Sequence, residues 1–209
     1  MRRGYERGKR ALDLALASAV AVVVSPVLAG IAAAIKLESR GPIFFRQERV
    51  GRYGRSFEIL KFRSLAAEPP RDPGDFLISA ADPRITRVGR FLRRWSLDEL
   101  PQLWNVLRGD MSIVGPRPTL RYQVEQYDDF QRRRLEVLPG VTGWAQVAGR
   151  NALSWPEKIK LDVWYVDHRS LRLDLRILLA TVPTLVRPRS VYGDAQGDWG
   201  ERPKPSEPS

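Results

Sequence analysis

The chain contains no cysteine and only one histidine among its 209 residues. The lack of cysteine excludes a disulfide framework, a thiol nucleophile, an iron–sulfur cluster and any zinc site with cysteine ligands. A single histidine excludes a His-rich metal site and a relay of several histidines. Any metal would therefore be a hard cation bound by oxygen ligands.

Acidic residues are also in short supply. The 24 Asp and Glu face 35 Lys and Arg, which gives a formal net charge of +11 at pH 7. Such a positive field favours polyanionic partners, namely nucleic acid, anionic lipid or phosphorylated substrates. Hydrophobic residues make up 43% of the chain, which excludes a fully disordered protein. The length is that of one domain with a small appendage.

One segment has no charged residue at all, from Leu14 to Ile35. As a helix it would extend about 33 Å, enough to cross the apolar core of a bilayer. Three interpretations compete: a spanning helix, a secretory signal peptide, and a re-entrant helix that enters and leaves on one face. The run is long for a signal peptide and Lys36 follows directly, which disfavours cleavage there.

Ser25 and Pro26 lie in the middle of this run. Pro26 has no N–H to donate to the carbonyl of Val22, so the sequence predicts a kink or break, and the Ser25 hydroxyl can satisfy the freed carbonyl. Basic residues flank both ends of the run, and positive flanks favour the cytoplasm. Composition alone leaves the spanning and re-entrant interpretations equally supported.

The remaining pattern predicts an α+β fold that is mostly helical. Period-two alternation over residues 42–63 predicts a short antiparallel β-hairpin with its turn at Gly51–Gly54. An apolar stripe over Arg87–Trp95 with flanking arginines predicts an amphipathic helix suited to a membrane interface, although such a helix also occurs over an ordinary core. Further helices are expected over residues 119–136, 154–168 and 174–187, with loops over 109–118 and 139–150.

Three regions follow from this pattern. Residues 1–40 form a membrane helix with basic flanks. Residues 41–187 are expected to form the main folded domain, a candidate catalytic domain on the cytoplasmic side of the membrane surface. Residues 188–209 are rich in Pro, Gly, Ser and charge, which is typical of a disordered tail.

The most concentrated candidate for chemistry is the Asp98–Glu99 pair. Ser96 with Glu99 three residues later matches a capping box, which by spacing alone is the better interpretation. In the functional interpretation, Asp98 attacks phosphorus and Glu99 holds Mg²⁺. Arg117 between two prolines and Arg150 after a Gly-rich loop are candidate phosphate ligands, and surface turns are the alternative.

These pieces together resemble the bacterial sugar transferase family, the small monotopic polyprenol-phosphate phosphoglycosyl transferases. The resemblance extends from about Arg10 to Arg187. The segments that carry it most specifically are Lys61–Ser64, Asp82–Leu107, Gly109–Pro118 and Pro139–Val147.

The resemblance implies a re-entrant membrane helix broken at Ser25–Pro26. It implies Asp98 as the nucleophile and Glu99 as the Mg²⁺ ligand. Further candidates for binding the substrate phosphates are Lys61, Arg93, Arg117 and Arg150. One departure is Ala148, where the family usually carries asparagine, so a polar contact made by that amide is missing.

The expected reaction transfers a sugar 1-phosphate from a nucleotide sugar, UDP by resemblance, to a polyprenol phosphate through a phosphosugar–aspartate. The product is a polyprenyl-diphosphate sugar, made at the cytoplasmic face of the inner membrane as an early step of glycan assembly. The expected partners are the nucleotide sugar, polyprenol phosphate and membrane lipid, with no nucleic acid. The alternatives are a non-catalytic basic scaffold at the membrane surface and a nucleic-acid-binding protein; the latter does not explain the apolar run.

Overall fold

The computed structural model describes residues 2–66, 82–149 and 153–186. Its helices and strands are, in chain order, α1 (Arg2–Glu38), β1 (Phe44–Val50), β2 (Ser56–Phe62), α2 (Arg87–Arg94), α3 (Gln102–Arg108), β3 (Ser112–Val114), α4 (Arg121–Glu125), α5 (Asp129–Arg132), β4 (Gly140–Thr142), α6 (Trp144–Ala148), α7 (Trp155–His168) and α8 (Leu171–Val186). Short 3₁₀ turns lie at Arg52–Gly54, Leu97–Glu99 and Arg133–Glu136. The predicted α+β, mostly helical class is confirmed.

The predicted β-hairpin is confirmed. Strands β1 and β2 pair antiparallel from Phe44 opposite Phe62 to Val50 opposite Ser56. The turn is closed by Gly51, whose N–H donates to the Arg55 carbonyl at 2.7 Å. This hairpin supplies the sheet surface beside which the site is built.

The N-terminal half of α1 is held on the domain by buried polar groups. Asp174 of α8 accepts hydrogen bonds from the Tyr5 hydroxyl at 2.9 Å and the Lys9 ammonium at 3.1 Å. Asp13 is buried and accepts from the Ser112 hydroxyl at 2.7 Å. One turn further on, Ala17 is fully buried against the apolar core between the hairpin and α3.

The C-terminal half of α1 returns to the same body. Ile31 and Ile35 are buried with Leu92 of α2. The Arg63 guanidinium donates to the Ser39 and Arg40 carbonyls, both at 2.8 Å, which satisfies groups at the end of α1 and complements its dipole.

A second contact at this end ties α1 to the start of α2. The Glu38 carboxylate accepts from the Arg87 and Val88 N–H groups at 2.6 and 2.9 Å. The Thr86 side chain caps the same end by accepting from the Gly89 N–H. The end of α1 therefore supplies acceptors for the free N–H groups at the start of α2.

The predicted break at Ser25–Pro26 is not observed, because α1 is one helix through both residues. The Ser25 hydroxyl donates to the Val22 carbonyl at 2.8 Å, which is the carbonyl that Pro26 cannot serve. The predicted role of the serine hydroxyl is confirmed. The carbonyl that Pro26 leaves without a backbone donor is thereby satisfied within a continuous helix.

The helix is long and apolar enough to cross a membrane over Gly4–Glu38. Its free flank is apolar: the exposed fractions of Val22 and Val23 are 73% and 77%. Helix α8 also exposes four apolar side chains about one turn apart, namely Leu171, Leu175, Leu179 and Val182.

Two loop predictions and one helix prediction need correction. The loops over 109–118 and 139–150 contain β3 and β4, which pair in parallel, and also α6. The expected helix over 119–136 divides into α4 and α5, because Asp128 caps a new helix by accepting from the Gln131 N–H. The 188–209 tail lies outside the described residues.

Candidate active site

Asp98 and Glu99 lie on a single 3₁₀ turn between α2 and α3. Ser96 adopts the left-handed conformation, with φ 55°, at the position just after the end of α2, and its side chain makes no capping bond. The predicted capping box at Ser96 is therefore wrong. Pro101 has no N–H for the Leu97 carbonyl, so Leu100 donates to that carbonyl instead and the turn stays 3₁₀.

Glu99 is the centre of a charged cluster. Its Oε1 accepts from the Lys61 Nζ at 2.8 Å and from the Arg117 Nη2 at 2.6 Å, while its Oε2 faces the Arg117 Nη1 at 3.3 Å. The Arg117 contact is thus a two-pronged guanidinium–carboxylate pair. The structure brings Lys61, Glu99 and Arg117 together from segments far apart in the chain.

Opposite electrostatics act on the two adjacent carboxylates. Burial alone would raise the pKa of Glu99, but the charges of Arg117 and Lys61 outweigh it and hold that pKa well below its ordinary range. Burial, followed by the nearby Glu99 charge, raises the pKa of Asp98. The positive charges of Lys61 and Arg93 act against that rise without cancelling it.

Asp98 is therefore the carboxylate with fewer polar contacts. Among the described residues, its carboxylate accepts no hydrogen bond and forms no ion pair within 4 Å. A carboxylate with a raised pKa is a stronger nucleophile than one that is locked in an ion pair. The arrangement suits attack by Asp98 on an electrophile that the surrounding cations hold.

The backbone of Arg117 is held by a buried side chain, Arg134, that sequence analysis did not identify. The Arg134 Nη2 donates to the Arg117 carbonyl at 3.0 Å and to the Asp162 carboxylate at 2.5 Å. Its Nη1 donates to the Tyr127 hydroxyl at 2.6 Å, which in turn donates to the Thr119 hydroxyl at 3.2 Å.

Arg134 and Asp162 are both almost fully buried, and burial raises the pKa of Asp162 to about 6 despite Arg134. At neutral pH the pair is ionised and fixes the backbone that presents Arg117. The residues lie 28 positions apart, so no local spacing could have identified them.

The other predicted site residues are distributed as follows. Arg93 is half-buried on α2 and its charge acts on Asp98. Arg150 lies outside the described residues. Ala148 is exposed at the end of α6.

The donor set available to a metal is small. Among residues 2–66, 82–149 and 153–186, no group of three or more His, Asp or Glu side chains could hold a metal ion. Mg²⁺ is commonly held by one or two carboxylates together with substrate phosphates and water. Glu99 fits that mode as the single carboxylate, with substrate phosphates and water as the other ligands.

Comparison with known proteins gives the family of the chain. The family model described as bacterial sugar transferase matches residues 4–188. The uncharacterized sugar transferase EpsL of Bacillus subtilis (strain 168) is 47% identical over 174 residues, covering 83% of this chain and 85% of the relative.

Two further relatives have names that state an activity. The UDP-glucose:undecaprenyl-phosphate glucose-1-phosphate transferase of Escherichia coli (strain K12) is 44% identical over 83% of this chain and 39% of its own length. The UDP-N-acetylgalactosamine-undecaprenyl-phosphate N-acetylgalactosaminephosphotransferase of Aeromonas hydrophila is 42% identical over 85% of this chain and 43% of its own length. The chain spans less than half the length of these two relatives. Because the family model covers nearly all of it, the chain belongs to the bacterial sugar transferase family.

Proposed function

We propose that this chain transfers a sugar 1-phosphate from a UDP-sugar to a polyprenol phosphate. The observation that carries the proposal is the Asp98–Glu99 pair set among Lys61, Arg93 and Arg117 beside the end of an apolar helix. The named relatives that act on undecaprenyl phosphate support the substrate class.

In the first step, an Asp98 carboxylate oxygen attacks the β-phosphorus of the donor. A new bond forms between that oxygen and phosphorus, and the bond from phosphorus to the bridging oxygen breaks, so UMP leaves with the electron pair. Arg117, Lys61 and Arg93 stabilise the negative charge that builds up on the diphosphate.

In the second step, an oxygen of the polyprenol phosphate attacks the phosphorus of the phosphosugar–aspartate. The bond to Asp98 breaks and the carboxylate is regenerated. One site serves both steps because UMP leaves before the lipid phosphate enters.

Glu99, with the donor phosphates and water, would hold Mg²⁺. When bound, the metal neutralises diphosphate charge. Glu99 also keeps Lys61 and Arg117 directed at the site, since each donates to its carboxylate. Titration of activity against Mg²⁺ after EDTA treatment tests the metal separately from the nucleophile.

The two ends of α1 support a proposed placement at the membrane. Both ends pack on one body, so we propose a monotopic enzyme at the cytoplasmic face of the inner membrane. The apolar flank of α1, together with exposed Phe91, Trp95 and Trp104, would face lipid.

The test of the nucleophile is intact-protein mass after mixing the full chain with a UDP-sugar in the absence of lipid. The parent should gain the mass of one phosphosugar and release UMP. Asp98→Asn should gain nothing and should lose at least 10³-fold in turnover, a loss of about 4 kcal/mol or more in transition-state stabilisation. Turnover of Asp98→Asn near the parent rate would overturn the covalent mechanism.

A further inference from the structure

One face of the β-hairpin carries a cation that the proposed reaction has not used. Residues paired directly across an antiparallel ladder share a face, and so do alternate residues of one strand. Arg49 pairs with Phe57, and Phe57 and Lys61 are four residues apart on β2. Arg49 therefore lies on the same face as Lys61, which contacts Glu99.

Arg49 is also adjacent to the segment that presents Arg117. The Val50 N–H donates to the Thr119 carbonyl at 2.9 Å, which brings β1 alongside the chain just after Arg117. The Arg49 Nη2 donates to the Gln47 side chain at 2.6 Å, but its Nε is buried and has no hydrogen-bond partner among the described residues. Burial and the charge of Arg117 lower the pKa of Arg49 to about 10, so the group stays cationic at neutral pH.

A second cation approaches Arg117 from α7. Lys158 lies one turn before Asp162, on the same side of α7, and Asp162 binds the Arg134 side chain that holds the Arg117 carbonyl. Lys158 is half-buried, and burial together with the charge of Arg117 lowers its pKa. Within the part of the chain that the structure describes, no carboxylate pairs with its ammonium.

The cluster therefore holds more cations than it needs for its own carboxylates. Lys61 and Arg117 already share Glu99, while Arg49 and Lys158 have no acidic partner in the described ranges. Partly buried like charges disfavour one another, and an anion bound between them would remove that penalty. The stretch from Lys61 to Arg49 on the hairpin face is about 13 Å, which is longer than one phosphate requires.

We propose that Arg49 and Lys158 form a phosphate subsite beyond Arg117, which binds the phosphate that stays on the nucleotide when the donor is cleaved at Asp98. The inference rests on the proposed function, because it assigns the α-phosphate of that donor. The polyprenol phosphate is the other possible source of a phosphate here. The position of Lys158 disfavours the lipid phosphate as the ligand. Helix α7 contacts α1 at Tyr165, which contacts Tyr5, and Lys158 lies about 10 Å before Tyr165 along α7.

The test is equilibrium binding of UMP to the full chain in lipid nanodiscs, measured calorimetrically. Arg49→Gln and Lys158→Gln should each raise the Kd for UMP about tenfold, the loss of one charge-assisted contact. The KM for polyprenol phosphate should stay unchanged in both. Two matched controls remove the same charge elsewhere: Arg46→Gln, on the opposite face of β1, and Lys160→Gln, on the exposed side of α7, should bind UMP as the parent does.

Each outcome decides the inference. Equal Kd values for UMP in the subsite variants and the controls would overturn it, even if the parent turns over normally. A higher KM for polyprenol phosphate with unchanged UMP binding would assign the cations to the lipid and also overturn it. If Arg49→Gln fails to fold, Arg49→Lys should retain most UMP binding, and Lys158→Gln gives a separate answer.

A different result would contradict the proposed function itself. In that case the parent forms no phosphosugar adduct with any nucleotide sugar, and neither subsite variant is needed to see it.

Discussion

Asp98 and Glu99 are neighbours in the chain, yet the fold treats their charges in opposite ways. Glu99 has two cationic partners within 3 Å, and Asp98 is half-buried next to a carboxylate that is already ionised. The difference arises from the 3₁₀ turn, which directs Glu99 at Lys61 and Arg117 while leaving Asp98 outside the pair. Glu99 therefore binds the cations, and Asp98 is left outside the ion pairs, as its proposed role as nucleophile requires.

This contrast predicts that Asp98→Asn stabilises the fold while abolishing activity. An acid whose pKa is raised by folding binds its proton more tightly in the folded state, so its ionisation costs stability as the pH rises past its ordinary range. At pH 7.5 the Asn variant should have a higher Tm than the parent, and the difference should shrink as the pH approaches 4. Each kcal/mol corresponds to about 2–4 °C in a chain of this size.

Glu99→Gln is the matched comparison for this prediction. The pKa of Glu99 is lowered by folding, so its charge contributes stability above its ordinary pKa and that contribution is lost as the pH falls. Its Tm at pH 7.5 should drop, in the direction opposite to Asp98→Asn. Equal Tm values for Asp98→Asn and the parent at pH 7.5 would contradict the assigned electrostatics.

Arg117→Lys tests the importance of the two-pronged contact. Lysine keeps the charge but cannot place two parallel N–H groups on Glu99 or on a phosphate. We expect a fall in kcat/KM of at least tenfold, with a Tm close to that of the parent because the carbonyl bonded to Arg134 belongs to the backbone. Arg121→Lys, an exposed arginine nearby, is the control, and full activity in Arg117→Lys would make its contact with Glu99 irrelevant to catalysis.

At the scale of elements, local periodicity was sufficient where one segment makes its own contacts. The hairpin turn and the amphipathic helix α2 can both be predicted from the sequence, because the residues that determine each lie within a few positions of one another. The parallel pairing of β3 with β4 cannot, since the strands lie 28 residues apart and each is only three residues long. The spacing of Ser96 to Glu99 matches a capping box, so the sequence wrongly predicts a helix start at Ser96. Helix α3 begins only after Pro101, at Gln102.

The candidate site divides in the same way. The resemblance identified Asp98, Glu99, Lys61, Arg93 and Arg117, since these residue types stand within recognisable runs. Sequence analysis did not identify Arg134 and Asp162 as site residues, because their role depends on a buried contact between a 3₁₀ turn and α7. A buried ion pair beneath the Arg117 segment is visible only once the chain has folded.

The serine–proline step in α1 predicts a conditional effect. Ser25→Ala leaves the Val22 carbonyl without a donor, which should lower the free energy of unfolding by about 1–3 kcal/mol. Pro26→Ala restores a backbone N–H at that carbonyl, so Ser25→Ala should cost almost nothing in the Pro26→Ala background. A double-mutant cycle on the nanodisc-bound protein measures this coupling, and equal costs in both backgrounds would contradict it.

At the scale of the whole molecule, α1 is the element that joins membrane and site. Tyr5 and Lys9 tie its first turns to α8, while Arg63 and Glu38 tie its last turn to β2 and α2. Because α2 leads directly into the turn that carries Asp98, the proposed position of α1 in the lipid would also set the distance of Asp98 from the membrane surface. In that proposed placement, a lipid phosphate at the membrane surface would come within reach of Asp98.

This arrangement predicts that both ends of α1 lie in the cytoplasm. A helix of 37 residues is about 55 Å long, and if it spanned the roughly 30 Å apolar core, its N-terminal turns would leave the domain and break the bonds to Asp174. The parent has no cysteine, so Arg7→Cys and Arg40→Cys each introduce a single reporter at an exposed position. In intact bacteria neither should react with a membrane-impermeant maleimide, and both should react after permeabilisation. Labelling of Arg7→Cys from outside, with Arg40→Cys still protected, would mean that α1 spans the bilayer and that the contacts of Tyr5 and Lys9 with α8 do not form in the membrane.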